Sequence, residues 1–453
     1  MTTENQADVP LVPLRVGGGE RFELDELRAA WPVLSPDERV AGFELLDREQ
    51  ATEFFLERTA RGQAQIIQGL PPGERRLWLR LLPPDDTADA LQEIPPEERG
   101  ALIELLDPVA RREVSALLAY AEDDAGGLMS PRFARVRPDL PVDEALTYVR
   151  RQMRERLAIS YYAYVLDNEQ RLLGVLSVRE LFSAEPGKIV REIMHTDFVS
   201  VPEDMDQEAV ARVIAREDLA AVPVLDAGGH MKGVVTVDDI VDVVQEEATE
   251  DIQKIGGQEA LEAPYLQTGV LTMVRKRAGW LVLLLLGELL TVSALDNYQA
   301  EIASAVVLAL FIPVIISSGG NSGSQATTLV IRAMALGEVQ LRDWWRIARR
   351  ELCSSAILGA ILASIGLARI LIGQLAFDES GENSTLMAAT ISISLFGVVI
   401  WGSLVGSMMP LLLRRAGFDP ASASAPMIAT LVDVTGLVIY FSVARSLLSG
   451  TLL

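Results

Sequence analysis

A single carboxylate lies inside the last long apolar run of the chain. Residues 424–441 read SAPMIATLVDVTGLVIYF, and Asp433 is the one charged side chain among them. An acid near the bilayer centre costs at least ~2.5 kcal/mol, so such residues usually face a bundle interior or an ion pathway. Ala425 and Ala429 precede Asp433 at four-residue spacing, which leaves space beside the helix on the same face. The pattern predicts a fixed negative charge beside a narrow space at membrane depth.

Two copies of Asp433 facing each other across a symmetry axis would suit a hard divalent cation. Mg²⁺ keeps several waters and needs only one or two carboxylates, and one cysteine with two histidines gives soft metals few ligands. An intramembrane aspartyl hydrolase would need a second acid at the same depth. Asp296 and Asp419 lie at span ends and are poorly placed for that role. The remaining alternative is one aspartate that hydrogen bonds to a nearby Ser or Thr for packing.

A second polar group lies in the apolar segment PVIISSGGNSGSQATTLVIRAMALGE. Asn321 and Gln325 are one helical turn apart, next to glycines that include Gly320. Small residues allow close helix approach in a bilayer. Packing between helices explains the glycines. It explains less well why Asn321, Gln325 and Asp433 all occur at membrane depth. Glu288, the other acid within an apolar run, either lies at the interface or faces the bundle.

An unusually acidic segment, VDDIVDVVQEEATEDIQKIGG, precedes the apolar half and has seven acids among residues 238–251. On a helix, Asp239, Asp242, Glu246 and Glu250 share one face. Like charges at this spacing repel. The face is therefore either a solvated surface or a place where bound cations neutralise the acids.

Composition divides the chain into two parts. Residues 1–262 contain 52 acidic and 28 basic side chains, whereas residues 263–453 contain 11 and 12. The first part is expected to be soluble and to attract cations. Its acidity argues against nucleic acid as a partner, because the phosphate backbone is bound by basic residues. The N-terminus has no apolar signal segment, so we expect the soluble part in the cytoplasm.

A 12-residue register predicts short repeated helices in the N-terminal part. Pro36, Pro72, Pro84, Pro96 and Pro108 fall on it, and Arg48 and Ala60 occupy the two positions without proline. Proline followed by acids indicates a helix N-terminus. Helices this short cannot bury a face alone, so they should stack as a small solenoid.

An α/β unit is duplicated after residue 128. LDNEQRLLGVLSVREL in the first copy corresponds to LDAGGHMKGVVTVDDI in the second. The pair resembles two CBS modules.

Five apolar segments are long enough to cross a membrane, at about 278–295, 301–336, 352–377, 386–413 and 422–448. Basic residues precede the first span and lie between spans two and three and spans four and five, whereas the loop AFDESGENS after span three is acidic. Because basic loops stay on the cytoplasmic side, the N-terminus is expected inside and the C-terminus outside.

Taken together, the two membrane motifs and the acidic helix resemble the MgtE family of magnesium channels. The sequence then predicts a multidomain membrane protein: a helical, solenoid-like N domain (1–127), a tandem α/β CBS pair (128–189 and 190–245), an acidic connecting "plug" helix (239–266) and a five-helix transmembrane domain (267–453). The resemblance implies a non-enzymatic homodimer in the inner membrane of a bacterium, with a Mg²⁺ pore that cytosolic Mg²⁺ closes.

The resemblance also implies residue roles. Asp433 would attract the ion, and Ala425, Ala429, Gly320 and Asn321 would shape the pore. Regulatory Mg²⁺ would bind acids of the connecting helix (Asp239, Asp242, Glu247, Glu250, Asp251), of the second CBS module (Asp206, Glu208, Asp218) and of the N domain (Glu53, Asp85, Asp89). ATP could bind the CBS pair through Thr236 and Asp239. A less selective carrier of Co²⁺ or Ni²⁺ is the alternative within transport.

Overall fold

The computed structural model describes residues 24–154, 161–185, 187–261, 263, 265–266, 268–377, 384–449 and 451. The chain forms two compact units, Met1–Val244 and Gln245–Leu453.

Eight short helices come first in the described part of the first unit, and the 12-residue register sets where seven of them begin. They are α1 (Leu24–Ala30), α2 (Pro36–Glu44), α3 (Arg48–Leu56), α4 (Ala60–Gly69), α5 (Pro72–Leu79), α6 (Pro84–Gln92), α7 (Pro96–Ile103) and α8 (Pro108–Leu117). Where the register has no proline, Asp47 and Thr59 cap the next helix by accepting hydrogen bonds from its first backbone N–H groups. The predicted helical repeat is confirmed.

The helical repeat buries a core rich in aromatic side chains. Phe43 and Trp78 pack edge to face with ring centroids 4.8 Å apart, and Phe54 and Phe55 are fully buried beside them. Edge-to-face pairs add to the stabilisation from buried area. The same core continues into the second α/β module, because Val210 and Val222 belong to one buried cluster with these helices.

Two α/β modules with the same topology follow. The first contains α9 (Ala125–Leu128), β1 (Ala134–Val136), α10 (Val142–Arg154), β2 (Tyr162–Leu166), β3 (Leu172–Ser177) and α11 (Val178–Ser183). The second contains α12 (Val190–Ile193), β4 (Val201–Pro202), α13 (Gln207–Glu217), β5 (Ala221–Leu225) and β6 (Met231–Thr236). In both, the middle strand pairs parallel with the first and antiparallel with the third, with a bulge before its last residue. The predicted duplication is confirmed.

The acidic helix α14 spans Val237–Ile255 and is shorter than the predicted 239–266. It ends at Gly256 and Gly257, where Gly257 adopts a left-handed φ of +74°. Backbone N–H groups of both glycines close the last turn on Ile252 and Lys254. Glycine at this position ends helices readily because it has no Cβ to clash.

Five long apolar helices in the described part of the second unit can cross a membrane. They are α15 (Val270–Asp296), α17 (Val306–Ala335), α18 (Trp344–Phe377), α19 (Ser384–Arg415) and α20 (Ala425–Leu448). The predicted span 301–336 is wrong at its start, because the separate short helix α16 (Gln299–Ser304) precedes α17 and Ala305 breaks the helical backbone between them. Most of the acidic loop AFDESGENS lies outside the described residues.

Glycines bring α17 and α19 into backbone contact. A Cβ added at Gly402 would lie 2.3 Å from the carbonyl oxygen of Gly319, and one at Gly406 would lie 2.1 Å from that of Gly323. The Thr327 hydroxyl donates to the carbonyl oxygen of Gly406 at 2.8 Å. These glycines therefore serve helix packing, as small residues do in membranes.

We expect Gly406→Ala to destabilise the protein by about 1–3 kcal/mol, because a methyl group there can be accommodated only by moving two backbones apart. Thermal unfolding of the purified full-length protein in detergent would measure the loss. Gly397→Ala is the matched control, since its Cβ would meet Ile439 at an ordinary 3.6 Å. Equal unfolding temperatures for the two variants would contradict the importance of this crossing.

Candidate functional site

Three of the residues predicted around the intramembrane acid come together where α17 crosses α20. A Cβ added at Gly320 would lie 3.3 Å from the Ala429 Cβ and 3.7 Å from Asp433 Oδ1. The missing side chain of Gly320 therefore lets α17 approach α20 closely beside the carboxylate. Asp433 itself is half-buried in the single chain.

The other two predicted pore residues lie near this crossing but contact different groups. The carbonyl oxygen of Ala425 accepts a hydrogen bond from Ser324 Oγ at 3.1 Å. Asn321 Nδ2 donates to Ser317 Oγ at 3.3 Å. Ser317, Asn321 and Gln325 are exposed along one side of α17. A polar stripe exposed at membrane depth is unfavourable against lipid, so it needs water or protein beside it.

Glu288 supplies a second acid at the depth of Asp433. Its carboxyl group and that of Asp433 lie close enough to interact where α15 packs on α20, which answers the question that the sequence left open about Glu288. In the sequence, the only indication of a role for Glu288 was that it is a single charged residue within an apolar span. An aspartyl hydrolase would need this kind of pairing, so the local geometry alone fits either a cation site or an acid pair.

A second acidic site forms in the cytosolic unit between α6 and α14. Asp85, Asp86 and Asp89 lie on α6, and Asp86 and Asp89 face acids in the first turns of α14. We call the following residues the α6–α14 cluster: Asp85, Asp86, Asp89, Glu122, Asp238, Asp239 and Asp242. Four of them were predicted from the sequence, whereas Asp86, Asp238 and Glu122 were missed because only the tertiary structure brings these distant segments together.

Burial and mutual repulsion make the charged form of these acids unfavourable. Burial first, and then the charges of neighbouring acids, raise the pKa of Asp89 to about 8 and the pKa of Asp86 to about 6. Burial likewise raises the pKa of Asp239 to about 7, against the opposing hydrogen bonds from Thr236. Burial also raises the pKa of Asp85. The surroundings of the α6–α14 cluster therefore do not stabilise the fully ionised form of its acids.

The chemistry of the cluster fits a hydrated hard cation. Its side-chain donors are all carboxylate oxygens, the ligands that Mg²⁺ and Ca²⁺ prefer. Asp85 is 9% exposed, and its Oδ1 atom has no hydrogen-bond partner within the described part of the chain. Among those same residues, no three His, Cys, Asp or Glu side chains converge closely enough to hold a bare metal ion. An ion that keeps its water shell therefore fits better than one bound directly by several side chains.

In metal-free buffer the full-length protein should become less stable as the pH rises through the range 6–8. The folded state raises the pKa values of Asp86, Asp89 and Asp239, so it binds more protons than the unfolded chain. This stabilisation is complete below the unfolded pKa and is lost as the pH rises through the folded values. We expect a fall in Tm of several degrees between about pH 5.5 and 8.5, at roughly 2–4 °C per kcal/mol.

Thermal unfolding with a chelator would measure this effect, and Asp89→Asn should flatten the pH dependence. Added Mg²⁺ should restore stability mainly at the higher pH, where the acids are ionised. A Tm that rises with pH in the chelator would contradict the repulsion within the α6–α14 cluster.

The predicted nucleotide pair is in direct contact within the chain. Thr236 Oγ1 donates to Asp239 Oδ2 at 2.6 Å, and the Thr236 backbone N–H donates to the same oxygen at 3.2 Å. Asp239 therefore stabilises the start of α14 as well as belonging to the α6–α14 cluster. A ribose would have to compete with this contact.

Four other predicted regulatory acids have local partners in the single chain. Glu53 forms an ion pair with Arg28 at 2.8 Å. Asp206 caps α13, and Glu208 pairs with Arg212 at 2.8 Å. Asp218 ends α13 in a left-handed conformation with φ +52°. The structure does not show these four residues in the α6–α14 cluster.

The last turns of α14 are attached to the start of α20. Glu250, a predicted regulatory acid, forms an ion pair with Lys254. Lys254 Nζ also donates to Asp419 Oδ2 at 2.7 Å, and Asp419 accepts from the backbone N–H of Ala421 just before α20. Ile255 packs in the same apolar group as Met427 of α20. The remaining predicted acids of this helix, Glu247 and Asp251, lie in the same segment and have interactions of their own.

Family models match most of the described chain, apart from residues 247–311 and the last few residues. The model for the MgtE intracellular N domain matches residues 24–123, and the CBS domain model matches 125–187 and 190–246. The MgtE model, described as a divalent cation transporter, matches 312–443. The last match covers most of α17 and α20, the helices that carry the candidate pore residues.

Several curated proteins are similar over most of their length. The magnesium transporter MgtE of Thermus thermophilus is 41% identical over 95% of this chain and 94% of its own. That of Bacillus subtilis is 33% identical over 74% and 72%. A solved structure of the cytosolic domain of the Mg²⁺ channel MgtE in complex with ATP is 42% identical, covers 49% of this chain and 90% of that chain, and has a TM-score of 0.45. The chain belongs to the MgtE family of magnesium transporters.

Proposed function

We propose that the protein is a homodimeric, Mg²⁺-selective channel whose pore is lined by α17 and α20 and is closed by cytosolic Mg²⁺. The observation that carries the proposal is the position of Asp433, half-buried at membrane depth in front of Gly320 and Ala429. A carboxylate that is only half-buried can attract a hydrated cation without stripping its waters, as Mg²⁺ requires.

The exposed polar stripe on α17 supports a pore between two copies of the chain. Ser317, Asn321 and Gln325 face outward in the single chain. A second copy related by a two-fold axis would cover this stripe and place two Asp433 carboxylates near the axis. Hard oxygen ligands favour Mg²⁺ over Co²⁺ or Ni²⁺ as the main ion. A less selective divalent carrier is the alternative, which competition between these ions would test.

The α6–α14 cluster supports regulation by cations. Its acids are held together against their mutual repulsion, so a divalent cation among them would favour the compact arrangement over a separated one. Asp85, Asp86, Asp89, Asp239 and Asp242 are the residues expected to hold the ion. A difference of about 5 kcal/mol in cation binding between two states moves the balance from almost fully open to almost fully closed.

Lys254 supplies a route from the regulatory helix to the pore. The acids of the cluster and Lys254 belong to the same helix, α14, and Lys254 contacts Asp419 directly before α20. Burial opposes the charged form of Lys254, but hydrogen bonds to Asp419 and Glu250 outweigh it and raise the pKa of Lys254. Lys254 therefore stays charged at neutral pH. A movement of α14 would therefore be transmitted through Lys254 and Asp419 to the start of α20, the helix that carries Asp433.

Two further assignments belong to this proposal. Basic residues at the ends of the spans support an N-terminus in the cytoplasm and a C-terminus outside the inner membrane of a bacterium. ATP is proposed to bind the CBS pair near Thr236 and Asp239, where it would have to replace their mutual hydrogen bond. Mg²⁺ is both the transported ion and the regulatory ligand.

Single-channel recording of the purified full-length protein in a lipid bilayer tests the proposal. Divalent current that is present at low cytoplasmic Mg²⁺ and disappears as Mg²⁺ rises is expected. Divalent current that does not change with cytoplasmic Mg²⁺ would still support the pore, but it would contradict closure by cytosolic Mg²⁺. A lack of Mg²⁺ current under all conditions would overturn the channel itself.

A further inference from the structure

Glu288 is a charged side chain within the membrane span α15, where a carboxylate without a function would be unfavourable. It is the one charged residue between Arg277 and Asp296 in span α15. An acid at this depth costs at least ~2.5 kcal/mol, and α15 would be a more stable membrane helix without it. The position therefore needs an explanation from its neighbours.

The packing of α15 on α20 brings Glu288 to the proposed pore acid. A Cβ added at Gly287 would lie 2.5 Å from Thr430 Cγ2, so the glycine permits a very close approach of the two helices. One residue further along, the Glu288 carboxyl group lies next to that of Asp433. Both acids are half-buried in the single chain.

The other helices that pack on α20 supply no basic residue to balance the two acids. Residues 306–331 of α17 and 384–413 of α19 contain no charged side chain at all. Two ionised carboxylates in contact repel each other in a medium of low dielectric constant unless a proton or a metal cation lies between them. The pair therefore provides a place for a cation.

Thr291 gives a second and independent indication of a polar ligand. It is the one buried residue of α15, 8% exposed, and its Oγ1 atom has no hydrogen-bond partner among the residues that the structure describes. A buried hydroxyl without a partner is unfavourable by about 1–3 kcal/mol. Thr291 lies three residues after Glu288, which places both side chains on one helix face about 5–6 Å apart.

We propose that Glu288 is a second carboxylate of the intramembrane cation site at Asp433, with the Thr291 hydroxyl bound to a water of the hydrated divalent cation. Each protomer then presents two acids to the ion, one from α15 and one from α20. The inference rests on the proposed function, because it extends the same ion site. It assigns α15 a role in ion binding besides its role as a membrane span.

The test is Mg²⁺ flux into liposomes that contain the full-length protein, measured over a range of external Mg²⁺ concentrations. We expect Glu288→Gln, which keeps the shape and removes the charge, to raise the half-saturating Mg²⁺ concentration about tenfold or more, as lost ligand partners do at metal sites. Glu288→Asp should recover part of this loss. Glu338→Gln is the matched control, since Glu338 is an exposed acid outside the spans.

Thr291→Val provides a second variant with little risk to folding, because it replaces a buried hydroxyl that has no partner among the described residues with a methyl group. We expect it to raise the half-saturating concentration about threefold, the equivalent of one weak hydrogen bond. If Thr291 only packs, the variant should instead gain thermal stability and keep the flux of the unaltered protein.

The outcomes separate this inference from the proposed function. Normal flux of the unaltered protein together with an unchanged half-saturating concentration in Glu288→Gln and Thr291→Val would overturn the role of Glu288 and leave the channel in place. A lack of flux in the unaltered protein would overturn both. A shift in half-saturation that Glu288→Asp partly reverses supports the second carboxylate.

Discussion

Asp433→Asn is expected to reduce Mg²⁺ flux by about 100-fold or more in liposomes that contain the full-length protein. The substitution keeps the size of the side chain and removes its charge. One unit charge about 4 Å from another contributes roughly 4 kcal/mol at an effective dielectric constant of 20, and every ~1.4 kcal/mol is a factor of ten. The loss should exceed that of any other single charge removal in the membrane unit.

Asp296→Asn is the matched control, because Asp296 is an exposed aspartate at the end of α15. Its flux should stay close to that of the unaltered protein. Asp433→Glu should keep part of the flux, since it retains the carboxylate. Full flux through Asp433→Asn would remove Asp433 from the ion path and leave the polar stripe on α17 as the remaining candidate.

Simultaneous replacement of Asp239, Asp242 and Glu247 by alanine is expected to leave the channel conducting at cytoplasmic Mg²⁺ concentrations that close the unaltered protein. The physical reason is that the closed arrangement loses carboxylates that hold its cation, so Mg²⁺ no longer favours one state over the other. Current recorded while cytoplasmic Mg²⁺ is stepped upward would measure the change. The Mg²⁺ concentration for half closure should rise at least about tenfold.

The control must remove the same charge elsewhere. Glu44, Glu97 and Glu144 are exposed acids on α2, α7 and α10, and their replacement by alanine changes the net charge equally. This control should close normally, which would show that position rather than total charge matters. Complete closure of the Asp239/Asp242/Glu247 variant by Mg²⁺ would reject the α6–α14 cluster as the gate.

Features encoded over a few neighbouring residues were determined by the sequence. The starts of α2 to α8 follow from prolines and capping residues within one turn of each start. The duplicated α/β module and the five apolar helices follow from periodicity and length. Asp433 could be identified as a candidate functional residue from the sequence, because a charged residue within an apolar segment is visible without any knowledge of its contacts.

Contacts between distant segments were decided only by the tertiary structure. Glu288 and Asp433 are 145 positions apart in the chain, and the pairing depends on how Gly287 lets α15 approach α20. Asp86 and Asp238 belong to the α6–α14 cluster because the fold brings α6 beside α14. Glu53 instead forms an ion pair with Arg28.

The same distinction explains where element boundaries were wrong. Acidic and apolar patterns continue past Ile255 and before Val306, but Gly257 and Ala305 adopt backbone angles that end or interrupt the helices there. Helix periodicity shows which face is polar or apolar, while the partner of that face is set by packing across the whole unit. The sequence therefore determined the elements and their exceptional charges, and the tertiary structure decided which of those charges meet.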